Sequence, residues 1–276
     1  MISIKEMINK ITQQLTGCSE TPKLDAEILT GEVLKKTRAK LFSYPEVVLT
    51  KKQQKQIMHY VARRLIGEPI AYIIGKKEFW SLSLTVTPDV FIPRPETDML
   101  VEYALKLLPK DENIRLADLG TGSGAIALAL AWERPHWQID ATDNSSKALK
   151  VAKINTEHYK IKNINFYLGE WCKALPQYDY YAIVGNPPYI ADGDKHLQQL
   201  KYEPREALVG GPDGLSAIKV IIEEAQTYLR LGGWLLLEHG FDQSEKVIVL
   251  MKHFGYQEIK DYKDLVGLPR MIVGKK

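Results

Sequence analysis

The run Val184-Gly185-Asn186-Pro187-Pro188-Tyr189-Ile190 gathers the residue types needed to hold a planar NH2 group. Such a group has two N–H bonds to donate and a lone pair delocalised into its π system, so it is a poor nucleophile until something orients it. The Asn186 side-chain oxygen and the Pro187 carbonyl are two acceptors for those N–H bonds, and accepting both leaves the lone pair aimed at an electrophile. Pro187 and Pro188 add no competing backbone N–H and fix φ, so the acceptors are set before a substrate arrives. The Tyr189 ring can stack on the flat group and exclude water. No strong general base accompanies these residues, and their plain alternative is a structural turn.

A second cluster supplies the other half of a transfer reaction. Leu116 to Ala125 is an apolar strand running through Gly120-Thr121-Gly122-Ser123-Gly124 into a helical stretch, Ile126 to Trp132. Residues without a Cβ let the backbone turn tightly and approach a ligand, and the helix N-terminus beyond is expected to offer free N–H groups. A nucleotide or a small carboxylate fits there. Read with Ala125, the same glycines match a dinucleotide pattern, and a merely tight turn is the third reading. Asp143 closes the next strand, where a carboxylate accepts hydrogen bonds from ribose hydroxyls in either cofactor. Asp118 discriminates, because its charge suits the ammonium group of S-adenosylmethionine and repels a pyrophosphate. Trp171 either packs on adenine or covers the sheet edge. The cofactor expected is S-adenosyl-L-methionine, leaving as S-adenosyl-L-homocysteine.

The elements that must position these residues follow from periodicity. Ile4, Ile8, Ile11 and Leu15 recur at helical spacing, Thr21-Pro22 reads as an N-cap with proline at the first helical position, and Thr50 starts a helix with Ile57, Tyr60, Val61 and Leu65 on one face. Residues 1–75 are therefore predicted to form a small helical domain, expected to dock the protein substrate. Phe79 to Thr87 alternates and is rich in β-formers, which predicts a β-hairpin linker over 76–90. The α/β domain proper is placed at 91–276. Its prolines at 93 and 95 precede a helix marked by Met99, Leu100, Tyr103, Leu107 and Leu108. Strands are expected at 115–119, 138–143, 164–168, 180–184 and 233–238, helices starting near Gly124, Ser145, Leu215 and Ser244, and two final strands near 257–262 and 270–273.

Composition narrows the class without choosing a function. With 276 residues, 45% hydrophobic and 26% charged, the chain is an enzyme-sized globular protein of two domains. Its net charge of +3 and pI near 8.6 come from scattered Lys and Arg. The runs Lys35-Lys36, Lys51-Lys52 and Arg63-Arg64 read as solvated helix faces, so stable nucleic-acid binding is not expected. Cys18 and Cys172 form no metal or redox motif, and the six histidines show no ligand spacing; they read as structural, and no metal is expected. With no signal-peptide pattern and no membrane-length apolar run, the expected place of action is the cytoplasm, with no membrane partner and a monomer as the default state.

With those residues in place, the chain resembles the release factor glutamine methyltransferase family over nearly its whole length. The likeness rests on Phe79-Trp80-Ser81-Leu82, Phe91 to Thr97, Asp118 to Gly124 and Asn186 to Ile190, in the family's order, behind a helical domain of the right size. It implies a class I methyltransferase fold, Rossmann-like with a mostly parallel seven-stranded sheet. It implies that Gly120 to Gly124, Asp143, Trp171 and Asn186 line the cofactor, and that Asn186 to Tyr189 hold a substrate glutamine of the Gly-Gly-Gln motif of class 1 peptide chain release factors. It also implies that Pro93-Arg94-Pro95-Glu96 covers the cofactor, and that 202–208 and 210–214 form a loop near the substrate. The ending Asp264 to Arg270 departs from the family's Gly-Arg-Asp-Arg pattern. The enzymatic rival is a DNA adenine or RNA guanine amino-methyltransferase, whose exocyclic NH2 presents the same donors from a flipped base. A nicotinamide oxidoreductase rests on the glycine run alone, and a non-catalytic adaptor conflicts with the two intact motifs.

Overall fold

Two of the first helices begin where a hydroxyl and a carboxylate or amide satisfy each other's orphan N–H groups. In the computed structural model, which describes residues 2–276, the chain divides into two units, Met1–Lys76 and Lys77–Lys276. The first contains α1 (Ile4–Leu15), α2 (Pro22–Leu34), α3 (Arg38–Ser43), α4 (Lys51–Leu65) and α5 (Ile70–Ile74). Ser3 with Glu6 and Thr50 with Gln53 form reciprocal capping boxes at α1 and α4. Thr21 precedes Pro22 as expected but makes no side-chain cap, its hydroxyl lying 3.4 Å from Asp25 Oδ1 instead. Ile4, Met7, Ile11, Leu15, Leu29, Ile57 and Val61 form the core of this unit.

Leu65, assigned to the inner face of α4, is 43% exposed because it lies at the last residue of the helix. Arg63 and Arg64 are not a solvated face. Arg64 Nε donates to the buried Asp25 carboxylate at 2.8 Å, and Arg63 donates to Glu68 at 2.8 Å and to the carbonyls of Tyr72 and Ile73 at 3.3 Å. The charged pair thus ties the end of α4 to the rest of its own unit.

The hairpin comprises β1 (Lys76–Phe79) and β2 (Leu82–Thr85). Its two-residue turn, Trp80-Ser81, has positive φ at both positions, the mirror-image geometry that matches strand twist. Read as a linker, it is packed as part of the larger unit. Phe79, Leu82 and Leu84 are buried in that unit's core, and the Asn155 amide accepts from Thr85 N at 2.7 Å while donating to Thr85 O at 3.0 Å.

The larger unit continues with α6 (Asp98–Leu107), β3 (Arg115–Leu119), α7 (Ala125–Glu133), β4 (Gln138–Asp143), α8 (Ser146–His158), β5 (Ile164–Leu168), β6 (Tyr180–Gly185), α9 (Ser216–Tyr228), β7 (Leu229–Glu238), α10 (Ser244–His253), β8 (Gln257–Lys263) and β9 (Pro269–Lys275). The sheet order is β5-β4-β3-β6-β7-β9-β8, parallel through β7 and antiparallel where β9 joins. This is the mostly parallel seven-stranded sheet that the resemblance implied. One core packs α6 and α7 on one side and another packs α9 and α10 on the other. Helix α7 is buried from Ala125 through Ala131, which is why its sequence is apolar on all sides. Strand β7 starts earlier than the expected Gly233 because its first residues pair before a register shift: Tyr180 aligns with Leu229, then Ala182 with Trp234, and Leu231 loops out to 83% exposure.

Candidate active site

Strand order decides where the site lies. From β3 the chain runs outward through β4 and β5, then crosses back to place β6 on the other side of β3, and ligands bind at the carboxyl end of such a switch. Leu119 aligns with Gly185, so the glycine turn and the Asn186 segment leave adjacent strands side by side. They face a cavity of about 230 Å³. Gly120, Thr121, Gly122, Ser123, Asp143, Trp171 and all of Asn186 to Tyr189 line it, together with Pro93, Arg94 and Thr97.

Asp118 and Gly124 do not line the cavity. Gly124 opens α7 with φ +83, and a Cβ there would lie 2.4 Å from a Leu128 methyl and 3.2 Å from the Ala152 Cβ, so this glycine serves helix packing. Asp118 is wholly buried beneath the turn. Its Oδ2 accepts from Thr121 Oγ1 at 2.7 Å and from Ala127 N at 3.1 Å, while Oδ1 has no partner. Burial raises its carboxyl to about 7, opposed by those two hydrogen bonds and aided by the nearby Asp143. The turn also uses its own amides. Gly120 and Thr121 N–H both donate to Thr142 O at 2.9 Å, and Gly122 N donates to Asp143 Oδ2 at 2.9 Å.

Asp143 is 8% exposed, its other oxygen accepting from Ser145 N at 2.8 Å. Burial raises its carboxyl above the ordinary value against the pull of those two amides. Each carboxylate oxygen keeps a lone pair for a further donor. Trp171 sits at positive φ with its ring against the turn, 3.1 Å from where a Gly120 Cβ would stand. The lining carries four acids, Asp89, Asp143, Glu170 and Glu206, and one cation, Arg94.

The Asn186 side is organised by residues to which the sequence reading gave no role. Asn186 Nδ2 donates to Thr97 Oγ1 at 3.1 Å, and Thr97 Oγ1 donates to Glu238 Oε2 at 2.8 Å. The Tyr189 hydroxyl donates to Glu238 Oε1 at 3.1 Å. Glu238 is 2% exposed at the end of β7, and burial raises its carboxyl to about 7, opposed by the Thr97 and Tyr189 hydrogen bonds and the Arg270 charge. Burial and the Glu238 charge push the Tyr189 phenol upward. The available signal for Glu238 was an acid ending the apolar run Trp234 to Leu237 at the ligand edge of the sheet.

Loops fix the backbone of the same segment. Gly210 N donates to Ile190 O at 2.9 Å, and the Gln243 amide donates to Tyr189 O at 2.9 Å. Gly214 has φ +75, and a Cβ there would lie 2.2 Å from Tyr189 O, which only glycine avoids. Segment 91–97 is held by Glu203, which accepts from Ile92 N at 3.0 Å and pairs with Arg94. In the departing ending, Asp264 accepts from Arg270 Nε at 3.0 Å and closes the β8–β9 turn. His239 is buried, its ring bonded to Gly240 O at 2.8 Å and Asp261 Oδ1 at 3.1 Å, away from the cavity lining.

Residues 6–75 match the PrmC N-terminal domain model and residues 82–264 the methyltransferase small domain model. Over all 276 residues the chain is 67% identical to the release factor glutamine methyltransferase of Coxiella burnetii, covering 100% of both chains. The chain belongs to the release factor glutamine methyltransferase family. A second relative of that name, from Buchnera aphidicola subsp. Schizaphis graminum, is 46% identical over 280 residues, again across the full length of both. A methyltransferase structure from Pyrococcus furiosus superposes with a TM-score of 0.55 at 21% identity, covering 78% of this chain and 96% of that one, a likeness of fold.

Proposed function

We propose that this methyltransferase transfers a methyl group from S-adenosyl-L-methionine to the side-chain amide nitrogen of the glutamine in the Gly-Gly-Gln motif of class 1 peptide chain release factors, acting in the cytoplasm. The observation that carries the reading is the Asn186 amide: its nitrogen is engaged by Thr97, so its oxygen is left to accept from a substrate NH2 in the cavity that the glycine turn also lines.

The residues present fit the cofactor. Four acids and one cation in the lining suit a sulfonium and disfavour a pyrophosphate, which supports S-adenosylmethionine over the dinucleotide reading of the glycine run. Two buried polar atoms without partners, Asp118 Oδ1 and Ser123 Oγ, stand at the turn. Asp143 would hold the ribose, Trp171 would pack against the adenine and Arg94 would face the carboxylate. When bound, the cofactor supplies an electrophilic methyl group. The chain's own residues orient the acceptor: Asn186 Oδ1 and the Pro187 carbonyl take the two N–H bonds, and Tyr189 covers the amide plane and excludes water. The N–CH3 bond forms as the S–CH3 bond breaks, and one amide proton is released.

The test is incubation with labelled S-adenosylmethionine and, separately, a release factor, duplex DNA and ribosomal RNA. Label on the Gly-Gly-Gln glutamine alone, located by peptide mass spectrometry, is the expected result. Label on a nucleobase would replace this reading with that of an amino-methyltransferase of nucleic acid. Among the described residues no helix is long and apolar enough to cross a membrane.

A further inference from the structure

We propose that Glu238 is a positioning residue which, acting through Thr97, fixes which way round the Asn186 amide sits, and through the Tyr189 hydroxyl holds the ring that closes the slot. The inference rests on the amide-methylation reading above.

A threonine hydroxyl has one hydrogen. Thr97 gives it to Glu238 Oε2 at 2.8 Å, since an ionised carboxylate can only accept. The Thr97 oxygen must therefore accept on its other side, and Asn186 meets that need only with Nδ2, at 3.1 Å. Turned over, the amide would set Oδ1 against Oγ1 with no hydrogen between them. Proton direction thus runs from Asn186 through Thr97 to Glu238, and the Asn186 oxygen is committed to the cavity. The opposite orientation would point an NH2 at a substrate NH2. The second oxygen of Glu238 accepts from Tyr189 at 3.1 Å, so one carboxylate holds both the acceptor and the cover of the slot.

Protonation of Glu238 would reverse the relay, because the carboxyl would then have a hydrogen to give to Thr97, and Thr97 would turn to donate towards Asn186. The charged and titratable groups facing Glu238 are Arg270 from β9, Glu96 from the turn before α6 and Tyr189 after β6. Its strand neighbour His239 is engaged with Asp261. Burial places the Glu238 carboxyl at about 7, so the reversal falls within an assayable range.

The experiment compares Thr97→Val, Thr97→Ser and Glu238→Gln with the parent enzyme for kcat on a release factor and cofactor affinity from pH 5.5 to 9. It adds the side-chain 15N–1H signal of Asn186 in substrate-free protein. The parent kcat should fall about tenfold per pH unit below about 7, with cofactor affinity little changed. Thr97→Ser should keep that profile. Thr97→Val, the same shape without the hydroxyl, should lose roughly 10²-fold in kcat, the effect of misplacing a reacting group. Glu238→Gln should flatten the acid limb. Normal kcat in Thr97→Val, or the parental acid limb in Glu238→Gln, would overturn the relay, as would an Asn186 signal insensitive to both pH and Thr97→Val. Because that signal needs no substrate, it decides the relay even for a parent enzyme that methylates no release factor.

Discussion

Asp118→Asn should stabilise the fold at neutral and alkaline pH while leaving cofactor affinity little changed. Asp118 is wholly buried and its carboxyl is raised from 3.8 to about 7. Between those values the folded chain retains a proton that the unfolded chain has lost, so stability is fully present below about pH 4 and is lost as pH rises through about 7. The gap, at roughly 1.4 kcal/mol per pH unit, comes to on the order of 4 kcal/mol. From pH 5 to 8 about two of those units are crossed, ~3 kcal/mol, which for a unit of this size is roughly 6–12 °C in Tm. An asparagine can still accept from Thr121 and Ala127 and does not titrate, so the variant's Tm should fall less over that range. The readout is the Tm difference between variant and parent at each pH. A constant packing cost cancels from its slope, and so does the titration of Glu238. Asp118 stands beneath the turn and outside the cavity lining, so cofactor affinity should be little changed in the variant. A Tm difference that is flat within about 2 °C from pH 5 to 8 would refute the buried-charge reasoning.

Asn186→Ala should lower kcat by roughly 10²–10³-fold, the usual loss on deleting one preorganised polar partner, and near-normal turnover in single-turnover assays would sink the orientation mechanism. Asp143→Ala should weaken cofactor binding by roughly 10²-fold and, because Asp143 also anchors Gly122 N and Ser145 N, lower Tm by a few degrees; unchanged affinity by calorimetry would remove it from the site. Residues 77–276 alone should keep cofactor affinity, since every lining residue lies within them, but fail to methylate an intact release factor. Full methylation by this fragment would deny the helical unit a docking role.

Local sequence determined the elements and the ends of the sheet, because those depend on neighbours along the chain. The strand 115–119 and the strand 138–143 stand at the bounds read from the sequence, the first ending at the Gly120 turn and the second at Asn144-Ser145 before the next helix. The Asn-Pro-Pro-Tyr run and the glycine turn were legible for the same reason, their chemistry being carried by adjacent residues. What only the tertiary structure decided is which distant groups complete the site. Thr97, Asn186 and Glu238 come from three separate segments, and the sequence has no term for a hydrogen bond spanning 89 or 141 positions. Asp118 shows the complementary limit: its charge was visible, but its place under the turn, with one oxygen unpaired and its carboxyl near neutrality, depends on solvent exclusion by α7 and the glycine loop above it. Burial and proton direction are properties of the packed chain, so residue identity alone could name the acceptor and not what aims it.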